Sequence, residues 1–122
     1  MESVERPWGY YTNVFGSDHS SYKVKLICVK PGARLSLQSH YKRSEHWVVV
    51  QGIARVTVGS DQIVLYKNQH AFIPKEVHHR LQNIGDEELK VIETQIGDYL
   101  GEDDIVRYQD DYSRTEEKST DL

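Results

Sequence analysis

The sequence predicts an all-β protein, built as a sandwich or small barrel of the jelly-roll kind. Apolar residues alternate with a period of two rather than 3.6, and the alternating runs are short. Most of these runs end at Gly or Pro, roughly every ten residues. Regularly spaced short strands with turn residues between them are typical of antiparallel sandwiches and barrels.

The individual strands are bounded by turn signals. We expect strands at 22–29, 34–40, 46–50, 54–58, 62–66, 70–73, 79–83 and 89–96. The turn residues Pro31-Gly32 close the first strand, and Gly59-Ser60-Asp61 marks a hairpin. One short helical segment is expected at 102–108, because its acidic residues come first and Arg107 comes late, as the helix dipole favours.

The length predicts a single domain. A chain of 122 residues buries about two-thirds of its unfolded surface on folding, which is enough for one core. We expect this domain, with an N-terminal arm, to span residues 1–112. Residues 113–122 are polar and lack apolar anchors, so they are expected to form a disordered tail.

Composition excludes several classes of protein. Fifteen Lys and Arg against nineteen Asp and Glu give a net charge of −4, which argues against a nucleic-acid binder. Cys28 is the single cysteine, so no intramolecular disulfide can form and a reducing compartment is the simpler expectation. No apolar run approaches the roughly 20 residues that span a bilayer. We therefore expect a cytoplasmic protein without a membrane partner.

Four polar side chains form a candidate metal site. Gln38 and His40 are two residues apart in an extended strand, so they share one face, and Glu45 begins the next strand. Either His78 or His79 can join them, but not both, because neighbours in a strand face opposite ways. Nitrogen and oxygen donors together suit a borderline divalent ion. The alternative is that each histidine is an ordinary hydrogen-bonded polar residue.

Two stretches resemble the two sequence motifs of the cupin superfamily. The first motif, G-x5-H-x-H-x3,4-E-x6-G, is matched by Gly32, His40, Glu45 and Gly52. The second, G-x5-P-x-G-x2-H-x3-N, is matched by Pro74, His79 and Asn83. The departures are Gln38 in place of a histidine, and Asn68 and Glu76 in place of glycines. The resemblance implies a double-stranded β-helix, the cupin jelly-roll barrel, with a divalent metal ion held by Gln38, His40, Glu45 and His79. Zn is the first expectation, and Mn, Co, Ni or Fe are alternatives.

The wider pattern is similar to type II mannose-6-phosphate isomerases, over residues 6–114. The shared segments are RPWG at 6–9, SLQ at 36–38, EHWV at 45–48, IP at 73–74, HRL at 79–81, ETQ at 93–95 and EDDIVR at 102–107. The sequence departs from the family at 40–42, where HYK replaces HHH, and at Ser113, where the family has Gly. The family's domain usually forms the C-terminal part of a bifunctional enzyme with a mannose-1-phosphate guanylyltransferase. We expect this chain to be the isomerase domain alone, with a separate guanylyltransferase as a partner in the pathway.

The resemblance implies a metal-dependent isomerisation between mannose 6-phosphate and fructose 6-phosphate, feeding GDP-mannose and polysaccharide biosynthesis. This reaction needs a general base near C2 of the sugar, and Glu45 and Glu93 are the candidates. Gln95 shares a strand face with Glu93 and is a candidate substrate ligand. Two alternatives remain: a non-catalytic cupin that binds a phosphosugar or sugar nucleotide, and an iron-dependent dioxygenase.

Basic residues are candidates for binding the sugar phosphate. Strand parity directs Arg34 to the same face as His40, so it is expected to act in binding and catalysis; Arg107 and Arg114 are expected to fold over the barrel mouth. Other side chains are not expected to act in the site. The expectation is solvated strand faces for Lys23, Lys25, Lys67 and Lys90, an orientation away from the ligands for His46 and His78, and packing for Trp8 and Trp47.

Small cupins pair through sheet edges, so a homodimer with residues 6–9 crossing the partner is expected.

Overall fold

The structure is a computed structural model that describes residues 1–112, and these residues form two antiparallel β-sheets packed face to face. The all-β prediction is confirmed. The strands are β1 (Glu2–Arg6), β2 (Gly9–Phe15), β3 (Tyr22–Val29), β4 (Leu37–Ser39), β5 (Arg43–Gln51), β6 (Ala54–Val58), β7 (Asp61–Leu65), β8 (His70–Ile73), β9 (His79–Asn83), β10 (Leu89–Gly97) and β11 (Val106–Gln109).

Strand order places distant parts of the chain side by side. The larger sheet has the order β1-β2-β3-β10-β5-β8, and the smaller sheet has the order β11-β4-β9-β6-β7. In the larger sheet β10 lies between β3 and β5, with Glu93 opposite Lys25 on one side and Trp47 on the other. In the smaller sheet Gln38 lies opposite His79. The two sheets therefore bring together both stretches that carry the candidate ligands.

The core lies between the two sheets and follows the alternation of the strands. In β5 every second residue is buried, so that Glu45, Trp47 and Val49 face inward together. Leu81 of β9 and Val91 of β10 complete the contact between the sheets. Trp8 and Trp47 both belong to this core, as expected from their size.

The N-terminal residues differ from the expected arm. Strands β1 and β2 pair antiparallel, with Arg6 opposite Gly9, so residues 6–9 form the connection of a hairpin within this chain's own sheet. Trp8 at this connection packs into the core of the same chain. A side chain of this size gains more from burial in the core than from exposure on an extended arm.

The prediction of a short helical segment at 102–108 is wrong. Residues 102–104 form a turn, and Val106–Gln109 form β11, which pairs with β4. A helix of seven residues is marginal in water, whereas the ladder to β4 satisfies backbone groups along a sheet edge that would otherwise stay open. The end assigned to the domain, at residue 112, stays a prediction, because 113–122 lie outside the described residues.

Two lysines also differ from expectation. Lys23 and Lys25 were expected on a solvated strand face, but both are buried, on the same face of β3 as Ile27 and Val29. The Nζ atom of Lys23 donates to the Leu100 carbonyl at 3.0 Å. The alternation in β3 thus turns two charged residues inward, toward the connection between β10 and β11. Lys67 is exposed and Lys90 is half-buried, in line with the expectation for those two.

The end of β10 approaches the start of β5 so closely that one methyl group added at Gly97 is expected to destabilise the protein. A Cβ atom at Gly97 would lie 2.2 Å from the Lys42 carbonyl oxygen, a backbone atom, whereas a Cβ atom at Gly85 would have no neighbour closer than 3.6 Å. We expect Gly97→Ala to lower the free energy of unfolding by about 2 kcal/mol or more, because the strand backbone must shift. Gly85→Ala is the matched control and should change it by less than about 1 kcal/mol. Urea denaturation measures both, and equal effects would contradict the close packing.

Candidate metal centre and active-site cavity

A cavity opens between the two sheets at the end where the predicted ligands lie. It is lined by side chains from β1 to β5, from β10 and β11, and from the connection before β11. Gln38 and His40 enter it from the smaller sheet, and Arg43 and Glu93 enter it from the larger sheet. The cavity wall therefore combines cations, carboxylates and one imidazole ring.

Three of the four predicted metal ligands converge beside this cavity, and of these three His40 forms part of its wall. Donor atoms of His40, Glu45 and His79 all lie within 4.8 Å of one another, and all three side chains are buried. The His40 Nε2 atom is 3.3 Å from Glu45 Oε2, and His79 Nε2 is 4.0 Å from Glu45 Oε1. These three residues come from the end of β4, from β5 and from β9.

Both imidazole rings are oriented by backbone carbonyl groups. The Nδ1 atom of His40 is 2.6 Å from the Asp104 carbonyl oxygen, and that of His79 is 3.0 Å from the Val77 carbonyl oxygen. A carbonyl only accepts, so each Nδ1 carries the proton and donates it. The lone pair of each Nε2 atom is therefore left facing the cluster, which is the arrangement that metal-binding histidines use.

Burial keeps the rings neutral. It lowers the pKa of His40 to about 4, with Arg43 adding to the effect, and it lowers the pKa of His79 as well. For Glu45 burial raises the pKa, but the positive charge of Arg43 opposes this most strongly, and the pKa lies well below its usual value. At neutral pH the cluster thus holds two neutral rings and one carboxylate, all in the protonation states that bind metal.

These residues fit a divalent metal ion. The Nε2 atom of His79 is buried and has no hydrogen-bond partner, which is costly for a polar atom unless something else binds it. The predicted fourth ligand, Gln38, does not present its oxygen to the cluster: Oε1 accepts from the Ser36 hydroxyl at 2.6 Å, and Nε2 lies 3.3 Å from His40 Nε2. Two imidazoles and a carboxylate are donors that Zn, Mn, Co, Ni and Fe accept.

Arg43 is a residue of the site that the sequence analysis missed. Its Nε atom donates to Glu45 Oε2 at 2.8 Å, and Nη2 lies 3.2 Å from His40 Nε2. The indole of Trp47 donates to the other Glu45 oxygen at 2.9 Å. Strand parity could have identified Arg43, because residues 43, 45 and 47 lie on one face of a strand that begins earlier than expected.

Glu93 and Gln95 lie beside this cluster on β10. Glu93 is buried, and burial together with the charge of Glu45 raises its pKa to about 8. The Gln95 Nε2 atom donates to Glu93 Oε1 at 2.6 Å. The other end of the same amide, Gln95 Oε1, is buried and has no hydrogen-bond partner. The cavity wall therefore presents a carboxyl group and an unused acceptor side by side.

The predicted phosphate ligands are only partly in place. Arg107 lines the cavity, but Arg34 does not: its side chain is 38% exposed and forms two hydrogen bonds with Asp111, at 2.7 and 2.9 Å. Strand parity does not predict the direction of the Arg34 side chain, because residues 35 and 36 are not in a regular strand and β4 begins only at Leu37. Arg114 lies outside the described residues.

Other expectations concern residues outside the cavity wall. His46 and His78 are exposed and pack against Phe72 and Tyr108, respectively, away from the three donors.

Three further residues line the cavity that were not predicted as site residues, namely Lys25, Glu102 and Arg6. For Lys25 the signal was its parity with buried apolar residues of β3, whereas Glu102 belongs to a segment that was expected to be helical.

Comparison with known proteins identifies relatives over most of the chain. A sequence model of the family described as "Mannose-6-phosphate isomerase C-terminal" matches residues 1–110. The xanthan biosynthesis protein XanB of Xanthomonas campestris pv. campestris is 53% identical over 112 residues, which are 92% of this chain and 24% of that protein. The alginate biosynthesis protein AlgA of Pseudomonas aeruginosa is 52% identical over 114 residues, 93% of this chain and 23% of AlgA. The chain thus spans about a quarter of the length of these relatives.

Solved structures show the same fold. The E162A mutant of Bacillus subtilis oxalate decarboxylase OxdC matches with a TM-score of 0.74 and 25% identity, over 88% of this chain and 30% of that chain. The Schizosaccharomyces pombe Cnp3 cupin domain matches with a TM-score of 0.69 and 19% identity, over 73% of this chain and 64% of that chain. The predicted cupin jelly roll is confirmed. Within residues 1–112 the structure contains no helix long and apolar enough to cross a membrane.

The three converging donors predict where metal binds. We expect His79→Gln to weaken binding of a divalent ion by about 100-fold or more, because loss of a direct donor costs at least as much as loss of a residue that orients one. His78→Gln is the matched control, since His78 is the neighbouring residue but is exposed. Elemental analysis after dialysis against Zn²⁺ and calorimetric titration measure the difference. Equal metal content in both variants would place the metal elsewhere.

Proposed function

The chain belongs to the mannose-6-phosphate isomerase C-terminal family, and from that membership we propose that it interconverts mannose 6-phosphate and fructose 6-phosphate with a divalent metal ion. One observation carries the proposal. The cavity brings a buried carboxyl group, Glu93, next to a cluster of neutral imidazoles and a carboxylate that suits a metal. An aldose–ketose isomerisation needs such a pair, a group that moves a proton between carbons and a positive charge near the sugar oxygens.

The metal ligands in this proposal are His40, Glu45 and His79. Gln38 would be a fourth donor once its amide oxygen turns from Ser36 to the ion. A divalent ion bound there would act as a Lewis acid and stabilise the negative charge that develops on the substrate oxygens O1 and O2. Burial of the three main donors excludes water from their side of the cavity, which strengthens electrostatic interactions with a bound substrate.

Glu93 is the better candidate for the general base. Both oxygens of Glu45 already accept hydrogen bonds, from Arg43 and Trp47, and they face the imidazoles. Glu93 lines the cavity and has one oxygen held by Gln95. A pKa of about 8 leaves a minor fraction of Glu93 ionised at neutral pH, and this fraction grows as the pH rises. In this carboxylate form Glu93 would take the proton from C2, the C2–H electrons would form the C1–C2 double bond of the enediolate, and the same proton would return to C1. The O2 hydroxyl proton passes to O1 in the same sequence, so the atoms balance.

Gln95 and Arg43 position the reacting groups in this proposal. The Gln95 amide fixes the Glu93 carboxyl through Nε2, and its unpartnered Oε1 atom is available to a sugar hydroxyl. Arg43 holds Glu45 in its charged form. Both side chains lie on the central strands β10 and β5, which move less than loops and so suit a role in positioning.

The biological setting follows from the relatives. XanB and AlgA are named for the biosynthesis of xanthan and alginate, and an Escherichia coli relative that is 48% identical over 111 residues is named mannose-1-phosphate guanylyltransferase. We propose that this chain acts in the same kind of pathway, in the cytoplasm, with a separate mannose-1-phosphate guanylyltransferase at a later step. We propose a homodimer as its assembly, on the same grounds as for other small cupins.

A second candidate function is supported by Arg43. Its guanidinium already donates to the Glu45 carboxylate and lies 3.2 Å from His40 Nε2. A cation of the protein itself therefore occupies part of the space beside the three donors. Gln38 also stands where generic cupins carry a histidine ligand. A metal-free module that binds a phosphosugar without turning it over would have these features.

One assay distinguishes the two functions. Fructose 6-phosphate formation from mannose 6-phosphate is followed in a coupled assay, with Zn²⁺, Mn²⁺ or Co²⁺ supplied and a related enzyme of demonstrated isomerase activity as the positive control. The isomerase proposal expects metal-dependent turnover that chelation abolishes. Saturable binding of mannose 6-phosphate without turnover under any of these metals would overturn it in favour of the binding module.

Glu93 provides the sharpest prediction of the mechanism. We expect Glu93→Gln to lower kcat by about 10²–10⁴-fold while metal content is unchanged, because the amide cannot accept the C2 proton. Glu87→Gln, an exposed carboxylate on the turn before β10, is the matched control and should leave kcat unchanged. Isomerase assays and elemental analysis are run on both variants. Activity of Glu93→Gln within tenfold of the unsubstituted protein would assign the base to another residue.

A further inference from the structure

Two cations approach one aromatic ring at the outer part of the cavity. The Nζ atom of Lys25 lies 4.2 Å from the centre of the Tyr11 ring, and the Cζ atom of Arg6 lies 5.5 Å from it. The two positive groups are therefore at most 9.7 Å apart. Two cations held this close repel each other unless an anion joins them.

Only one of the two cations has an acidic partner. Lys25 forms an ion pair with Glu102, in the turn before β11. Among residues 1–112 no carboxylate lies within ion-pair distance of Arg6, whose guanidinium donates to the Glu5 carbonyl at 3.0 Å. Both cations line the same cavity as Glu93 and Gln95. Within residues 1–112, therefore, no carboxylate forms an ion pair with the positive charge that Arg6 adds to the cavity.

The Glu102 side chain can move away from Lys25. Its side chain is 48% exposed although that of Lys25 is only 4% exposed. The backbone of the same turn is fixed, since the Asp104 carbonyl accepts from His40 and the Asp104 carboxylate accepts from the backbone N–H groups of Tyr41 and Lys42 at 3.0 and 2.9 Å. A rotation of the Glu102 side chain alone therefore frees Lys25 without disturbing the candidate metal ligands.

We propose that Arg6 and Lys25 form a subsite for a phosphomonoester, and that Glu102 is an internal counter-ion which the phosphate displaces. The proposal rests on the proposed function only for the identity of the sugar, because the subsite itself is argued from these three side chains. A phosphate dianion would bridge the two cations, and Arg and Lys are the side chains best suited to it. Lys25 is buried, so its charge would be unpaired and costly without Glu102, and a bound phosphate would take over the role of Glu102 as counter-ion.

The test is phosphate binding by the full chain in the presence of a chelator, so that no metal ion can hold the anion. Isothermal titration with inorganic phosphate and with mannose 6-phosphate is carried out on three variants, Arg6→Gln, Lys25→Met and Glu102→Gln. We expect Arg6→Gln and Lys25→Met to weaken binding by about tenfold or more, because each removes a charge-assisted contact. Glu102→Gln should tighten binding severalfold, because the competing carboxylate is gone. Mannose without phosphate should show none of these differences.

Matched controls remove the same charges elsewhere. Arg55→Gln on β6, the exposed Lys67→Met and the exposed Glu87→Gln change net charge equally and should leave phosphate affinity within about twofold. Circular dichroism confirms that each variant is folded, and Arg6→Gln, at the partly exposed rim, tests the subsite even if Lys25→Met unfolds. Unchanged affinity in Arg6→Gln, or weaker binding in Glu102→Gln, would overturn the proposal, and so would absence of phosphate binding by the unsubstituted chain.

The two proposals fail in different ways. If the chain binds phosphate with this pattern of variants but does not isomerise mannose 6-phosphate, the subsite stands and the isomerase assignment falls. If the chain is an active isomerase and Arg6→Gln leaves the KM for mannose 6-phosphate unchanged, the subsite is overturned and the isomerase stands. With both correct, Arg6→Gln raises that KM by about tenfold and leaves kcat close to that of the unsubstituted protein.

Discussion

The whole site depends on one buried carboxylate. Glu45 is 1% exposed and yet charged, so its negative charge must be compensated within the protein. Arg43 and Trp47 donate to its two oxygens, and two neutral imidazoles face it. These partners lie on β5, on β9 and directly after β4, so the balance of charge at Glu45 links the larger sheet to the smaller one. A metal ion at the cluster would add positive charge at the point where the structure already concentrates electron donors.

The connection between β10 and β11 ties this cluster to the outer cavity. Asp104 accepts a hydrogen bond from His40 through its backbone and holds the chain before β5 through its side chain. Two residues earlier, Glu102 pairs with Lys25. The same short turn therefore orients a candidate metal ligand and neutralises a candidate phosphate ligand. In the two proposals made above, chemistry on the sugar carbons is assigned to the part of the cavity beside Glu45, and recognition of the phosphate to the part beside Lys25.

Sequence reasoning located the deep part of the site but not the outer part. Spacing within two motifs singled out His40, Glu45 and His79, because strand parity and short turns leave little freedom in where those side chains point. Arg34 was misplaced because the chain before β4 is irregular, and parity carries no information across such a segment. Lys25 was overlooked because a charged residue in an alternating strand ordinarily faces water, and only its tertiary partner, 77 residues away, makes burial tolerable. The roles of these residues stay predictions.

Anomalous scattering from crystals soaked with a divalent metal ion and fructose 6-phosphate tests the central claim most directly. The account predicts one anomalous peak between the Nε2 atoms of His40 and His79 and the Glu45 carboxylate, with the sugar carbons C1 and C2 nearest to Glu93. A peak elsewhere, or a bound sugar with no metal at these donors and the Arg43 guanidinium still against His40, would contradict it.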